Sequence, residues 1–199
     1  MQITIRPPSS HTLKGSPANA SDGASVPAPT YDWISGTWHV SYSSLPLWKG
    51  KQNVRISYKA LAGSDLTSVK MPDLDDFVEY QKQGATKTST VSGISRPVQV
   101  GGLPEGLAYA WRGKGLLMIA SSNWEILAHG TDTAAAEPND FVVTYFGKTL
   151  FTPAGLDIYT RTTSSLSDVT LNAIKAALEG QSEQGLGTLA KSMFEIPRV

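Results

Sequence analysis

The stretch Trp33-Ile34-Ser35-Gly36-Thr37-Trp38-His39-Val40 reads as a turn running into a β-strand. Gly36 permits the tight backbone of the turn. The residues that follow alternate in the β manner, so Trp38, Val40 and Tyr42 share one face of the strand. What precedes this stretch is different in kind. Positions 7–30 hold five Pro, five Ser and two Gly in 24 residues, too little apolar surface to offset the entropy of ordering. Residues 1–30 are therefore read as a Pro/Ser-rich N-terminal segment, with a short strand at 1–6 that places Ile3 and Ile5 on one face. Residues 31–199 are read as the folded domain.

Working forward from Gly36, strands follow at hairpin-like spacing. The first covers roughly 36–45 and runs into Leu45-Pro46-Leu47-Trp48. The second is 53–58, with strict alternation, and Gly63-Ser64-Asp65 is a turn. Further strands are read at 77–81, 87–94, 107–120 (with a break at Gly113-Lys114-Gly115), 124–129, 141–149 and 155–162. One amphipathic helix comes after them. Ser167 or Asp168 caps it, Leu171, Ile174 and Leu178 form its stripe, and Gly180 ends it. Met193 to Pro197 reads as a short added strand. Eight strands with no helix between them make an all-β fold, an eight-stranded antiparallel up-and-down β-barrel with one C-terminal α-helix laid on its wall.

Composition excludes several classes. Seventeen Lys and Arg balance seventeen Asp and Glu, so no electrostatic footprint for nucleic acid or anionic lipid is expected from the total charge. There is no cysteine, which removes disulfides, thiol catalysis and cysteine metal sites. No apolar run approaches the ~20 residues of a membrane span, and the start lacks the apolar core of a secretion signal. A cytoplasmic protein is the expectation. His11, His39 and His129 have no metal-site spacing, so neither a metal nor another cofactor is expected. There is no Gly-x-Ser-x-Gly elbow, Walker A loop or dinucleotide fingerprint.

A second stretch, Leu156-Asp157-Ile158-Tyr159-Thr160-Arg161 followed by a Thr- and Ser-rich turn and Leu166-Ser167-Asp168, lies about 120 residues beyond Gly36-Thr37-Trp38. Together the two resemble the opening and closing motifs of lipocalins, above all the bacterial and plant type. The loop Thr131 to Pro138 lacks the family's Thr-Asp-Tyr-like turn, so the resemblance is to the wider calycin group. The haem-binding nitrobindins fit less well, because His39-Val40-Ser41-Tyr42 replaces their alternating glycines. The resemblance covers roughly 31–199. It implies that Arg161 packs across Trp38 and, with Gly36, closes the barrel floor, and that the barrel is a cup for an apolar molecule.

Candidate site residues follow from strand parity. With Trp38 inward, Val40 and Tyr42 line the cup; with Arg161 inward, so do Tyr159 and Asp157. An inward aspartate in an apolar cup has a raised pKa or a partner. Trp111-Arg112-Gly113-Lys114-Gly115 puts an aromatic and two cations around two glycines, a hairpin or bulge that could meet an anionic group at the mouth. On one strand Trp124, Ile126 and Ala128 share a face, with Glu125, Leu127 and His129 on the other. Tyr109 and Tyr145 are further aromatics for a pocket wall. Two readings stay open. In the first, Trp38, Val40, Tyr42, Tyr109, Trp111, Trp124 and Tyr145 surround a small hydrophobic ligand. In the second, a cofactor-free isomerase, cyclase or pericyclase uses Asp157, Tyr159, Arg112 and Glu125 for proton transfer or electrostatic stabilisation. A third, a barrel that meets protein partners, would show an apolar patch around Leu45-Pro46-Leu47-Trp48. Oligomeric state is left open.

Overall fold

The computed structural model describes residues 2–9, 11–12, 26–68, 70–181 and 185–199. A one-turn helix, α1 (Tyr31–Ile34), leads into the strands β1 (Gly36–Ser43), β2 (Lys51–Ala60), β3 (Leu74–Lys82), β4 (Thr88–Pro97), β5 (Ala108–Gly113), β6 (Ser121–Asp132), β7 (Asn139–Phe146) and β8 (Gly155–Thr160). Helices α2 (Asp168–Glu179) and α3 (Leu186–Lys191) follow, then β9 (Phe194–Glu195). From β1 to β8 each strand pairs antiparallel with the next, and β1 also pairs with β8, closing the barrel; β9 adds to β1.

Alternation sorts the side chains into two cores. Val40, Val54, Ile56, Leu74, Ile126 and Val142 belong to the inner one. Leu127, Val143, Leu156 and Ile158 belong to an outer one, covered by Leu171, Ile174 and Leu178 of α2. That helix starts and stops where its signals place it. The Ser167 hydroxyl accepts from the Thr170 amide, and Gly180 is the C-cap. Asp132 ties the helix start to the end of β6, accepting from the Ser167 amide at 2.6 Å and from the Thr170 hydroxyl at 2.7 Å. Burial works against its charge, but these hydrogen bonds hold its carboxyl below the ordinary value.

Several expectations are corrected. The strand read over 107–120 ends at Gly113; Gly115–Leu117 is a 3-10 turn, and the apolar run to Ile119 is an exposed loop. Residues 1–6 form no ladder strand in their described part. Arg6 donates one backbone bond to Leu127, and Ile3 and Ile5 pack on the outer core. Ser9 and Thr12 lie against Glu125, whereas Val26 and Ala28 pack on the inner core; residues 13–25, within the stretch read as a linker, fall outside the described residues. Helices α1 and α3 were not expected.

The ladder carries three register shifts, between Val40 and Tyr42, Gln52 and Arg55, and Ile126 and Ala128, and two of them change where residues singled out from the sequence face. Between Val40 and Tyr42 the register against β8 shifts, so Val40 pairs with Tyr159 and Tyr42 with Ile158. The extra residue turns Tyr42 outward, where it packs on the outer core under Lys175 of α2. The shift between Ile126 and Ala128 moves Ala128 to the outer core.

Candidate ligand cavity

The floor of the barrel is closed by the pair of motifs at its ends. The Arg161 guanidinium lies over the Trp38 ring and donates to the carbonyls of Ser35, Thr37 and Trp33. The Trp38 indole donates to the Ile34 carbonyl at 2.7 Å. Helix α1 is thereby fastened as a plug.

Above this floor the interior is partly filled. Trp124 is sandwiched between Tyr109, 4.3 Å away and near-parallel, and Tyr58 at 5.7 Å. Toward the open end a cavity of about 270 Å³ remains. Its walls are apolar and aromatic, with Trp48, Ile56, Val78, Trp111, Trp124 and Phe146 prominent. Trp111 reaches its place because Gly93 on the neighbouring strand has no side chain; a Cβ there would stand 2.2 Å from the indole nitrogen.

Beside the hydroxyls of Ser121, Ser122, Thr149 and Thr152, four titratable groups stand in this wall. Asp157, on β8, is fully buried. Its Oδ2 accepts from the Trp48 indole at 3.3 Å, while Oδ1 has no partner. Burial pushes its pKa up to about 7, opposed by the Ser43 hydroxyl and the Trp48 indole. Asp76, on β3, accepts from the Ser95 hydroxyl at 2.8 Å, and Ser95 in turn accepts from the Trp124 indole at 3.0 Å. Burial takes Asp76 to about 7 as well, against the Ser95 hydrogen bond. Tyr58 and Tyr159 also line the cavity. Burial holds both phenols well above the ordinary value, and negative charge on Asp157 and Asp76 would add to the effect at Tyr159. The Tyr159 hydroxyl sits against the side chains of Thr144 and Tyr58. The arrangement is an apolar cup with two buried acids in its wall, each raised toward neutral pH by burial.

No protein-family model and no curated protein sequence matches the chain. Solved structures do. Apocrustacyanin C1 superposes with a TM-score of 0.53 at 12% identity, over 87% of this chain and 91% of that one. The siderocalin Ex-FABP gives a TM-score of 0.47 at 11% identity, over 83% of this chain and 98% of that one. The chain folds as a lipocalin-like barrel.

Within this lipocalin-like barrel the residues singled out from the sequence part company. Asp157, Tyr159, Trp111 and Trp124 come together around the cavity. Trp38 and Val40 lie in the inner core but below the cavity, and Tyr109 backs Trp124 rather than the guest space. Tyr42 is outside, for the reason given. Tyr145 faces the outer core, since it pairs across from Glu125 and Leu156, both outward. Arg112 is exposed, on the opposite face of β5 from Trp111.

Glu125 is buried, yet it does not face the cavity. It forms an ion pair with Arg6 at 2.7 Å, both side chains fully shielded. It also accepts from the hydroxyls of Ser9 and Thr12 at 2.6 and 2.8 Å. Its role is to staple the N-terminal segment to the outer wall. The Leu45-Pro46-Leu47-Trp48 patch is likewise reassigned. Leu45 and Trp48 turn inward and are buried, and Pro46 and Leu47 stay exposed, Leu47 at the rim of the cavity.

Asp76 and Ser95 were not singled out from sequence. The strand read over 77–81 begins at Leu74, so Asp76 fell just before it, and Ser95 fell just past the strand read over 87–94. The signal was present in the alternation of Leu74, Asp76, Val78 and Tyr80. His11 and His129 contact the carbonyls of Tyr109 and Pro27, and among the described residues no cluster of metal-ligating groups exists.

Proposed function

We propose that the protein binds a small hydrophobic molecule in the barrel, one that carries at least one hydrogen-bonding group. The observation that carries this reading is the ~270 Å³ aromatic cavity whose lining includes the buried Asp157 and Tyr159. An apolar space of this kind rewards an apolar guest, and its polar groups fix the guest's orientation. The test is native mass spectrometry of protein purified from its own host, with organic extraction of what it carries. A retained hydrophobic compound returned unchanged supports the binder. An empty barrel that also ignores hydrophobic fluorescent probes refutes it.

A second reading has a specific observation in its favour. Two carboxyl groups raised to about 7 in one cavity suit general acid–base work at neutral pH. On that reading the protein is a cofactor-free isomerase or cyclase. The cup folds a hydrophobic substrate into its reacting shape, and Asp157, Asp76 and the Tyr159 phenol move or stabilise the proton. Turnover of a supplied precursor, lost in Asp157→Asn and in Asp76→Asn with ligand retention intact, separates the enzyme from the carrier.

A further inference from the structure

The strands of a closed antiparallel barrel deliver their loops to two ends. The closed end holds the Arg161–Trp38 floor. The other end is made by the loops 44–50, 83–87, 114–120 and 147–154. Eleven large hydrophobic side chains are exposed among the described residues, and seven of them lie on these four loops. They include Leu116 and Met118, Ile119 at 81%, Leu150 at 87%, Phe151 at 74% and Leu47 at 41%. Leu47 and Phe151 also line the cavity, so the apolar tips surround its mouth.

Charge is segregated along the same axis. The open-end loops contain Lys49, Lys87, Lys114 and Lys148 and no Asp or Glu. The closed-end segments 31–35, 61–73, 98–107, 133–138 and 161–167 contain Asp32, Asp65, Asp73, Glu105 and Glu137 against Lys70 and Arg161. Lys114 is paired with Asp75 on the outer wall. Lys49, Lys87 and Lys148 are exposed and form no salt bridge among the described residues. The balanced total charge therefore conceals a cationic, apolar end facing one way and an acidic end facing the other.

We propose that the open end docks on an anionic lipid surface, so that the cavity exchanges its guest directly with a bilayer. Apolar tips flanked by lysines are the chemistry of interfacial insertion: the tips enter the acyl boundary while the cations remain among the headgroups. The near-complete exposure of Leu116, Ile119 and Leu150 favours a fluid medium over a protein face. Each stands away from its neighbours as a separate prong, whereas a protein interface is a closely packed surface with an apolar centre. The acidic closed end orients the approach, since an anionic surface repels it. The exchange route rests on the ligand-binding reading; the docking does not.

The test is co-sedimentation of the full chain with vesicles of phosphatidylcholine alone and with about 30% phosphatidylserine. The wild type is expected to pellet with the anionic vesicles at about 50 mM salt, roughly tenfold less with the neutral ones, and less again at about 500 mM salt. The combined variant Leu116→Ser, Ile119→Ser, Leu150→Ser changes only exposed side chains and is expected to stay in the supernatant. Lys49→Glu with Lys148→Glu is expected to lose the preference for anionic lipid. Wild type that ignores anionic vesicles at low salt overturns the proposal, even if it captures a protein partner. So does a serine variant, folded by circular dichroism, that pellets as the wild type does. Loading of a soluble fluorescent probe is read separately. Vesicle binding without probe loading keeps the docking and refutes the ligand; probe loading without vesicle binding does the reverse.

Discussion

The guanidinium carbon of Arg161 lies 3.6 Å from the centre of the Trp38 ring, and the two residues come from strands at opposite ends of the chain. Trp38 packs at 5.1 Å on Trp33 of α1, which in turn meets His129 of β6 at 4.9 Å. Arg161 thus joins β1, β8 and the α1 plug through one planar group, by stacking on one side and donating to three carbonyls at its edge.

Replacing Arg161 by Leu keeps much of the volume and removes both the charge and the donors. The cation–π contact and the charge-assisted hydrogen bonds together predict a loss of about 2–4 kcal/mol. Arg161→Lys is expected to recover only part, because an ammonium cannot stack and bridge three carbonyls at once. Urea denaturation checks both. The cavity lies at the other end of the barrel, so probe binding to the folded fraction should be unchanged.

This relationship was legible in the sequence because it rests on local signals: a glycine before a strand tryptophan, and an arginine closing the last strand before a capped helix. The cap residues Ser167 and Gly180 were legible for the same reason. Three kinds of feature were not. The bulges that turn out Tyr42 and Ala128 each insert one residue without any change in composition. The burial of Glu125 depends on Arg6, more than a hundred residues away. The apolar run Leu116 to Ile119 has strand-like composition, yet it lies in a loop, and the cationic open end disappears into a balanced total.

Arg6 and Glu125 make the prediction about that long-range contact. Arg6 also donates to the carbonyls of Ile126 at 2.8 Å and Leu107 at 3.3 Å, so removing it strands a buried carboxylate and two acceptors. Arg6→Met alone is expected to cost about 3–5 kcal/mol, and Glu125→Gln a similar amount. The double variant is expected to cost clearly less than the sum, since no unpaired charge remains. A double-mutant cycle by denaturant unfolding measures the coupling. Limited proteolysis should show cleavage in the first twelve residues rising in each single variant.

Gly93→Ala tests how the cavity is shaped. A methyl group at this position collides with the ring of Trp111, with contacts of 2.2 to 2.6 Å. Backbone strain is not the issue; the clash is with a side chain that lines the cavity. The variant is expected to stay folded, to lose about 1–3 kcal/mol from overpacking, and to bind hydrophobic probes at least roughly tenfold more weakly, as ~1.4 kcal/mol of lost contact would give. Probe titration alongside thermal unfolding separates the two effects.

Asp157 supplies a prediction whose sign is fixed by linkage. In the unfolded chain its pKa is the ordinary 3.8, and in the fold it is about 7. Below about pH 4 both states hold the proton and the group has no effect on stability. As pH rises from 4 to 7 the unfolded chain releases the proton while the fold retains it, so stability falls. Above 7 the loss levels off, at a value on the order of 4 kcal/mol for three units. Asp76 contributes with the same sign over the same window. Asp157→Asn is therefore expected to be more stable than wild type at pH 8 and nearly equal to it at pH 4, with the pH slope between them reduced; urea midpoints across that range read this directly. Ligand binding carries a matching signature. Only the protonated acid can donate to a guest's carbonyl, so affinity for a carbonyl-bearing probe is expected to fall as pH rises through 7 in the wild type. In Asp157→Asn, whose amide donates at every pH, that fall should be smaller.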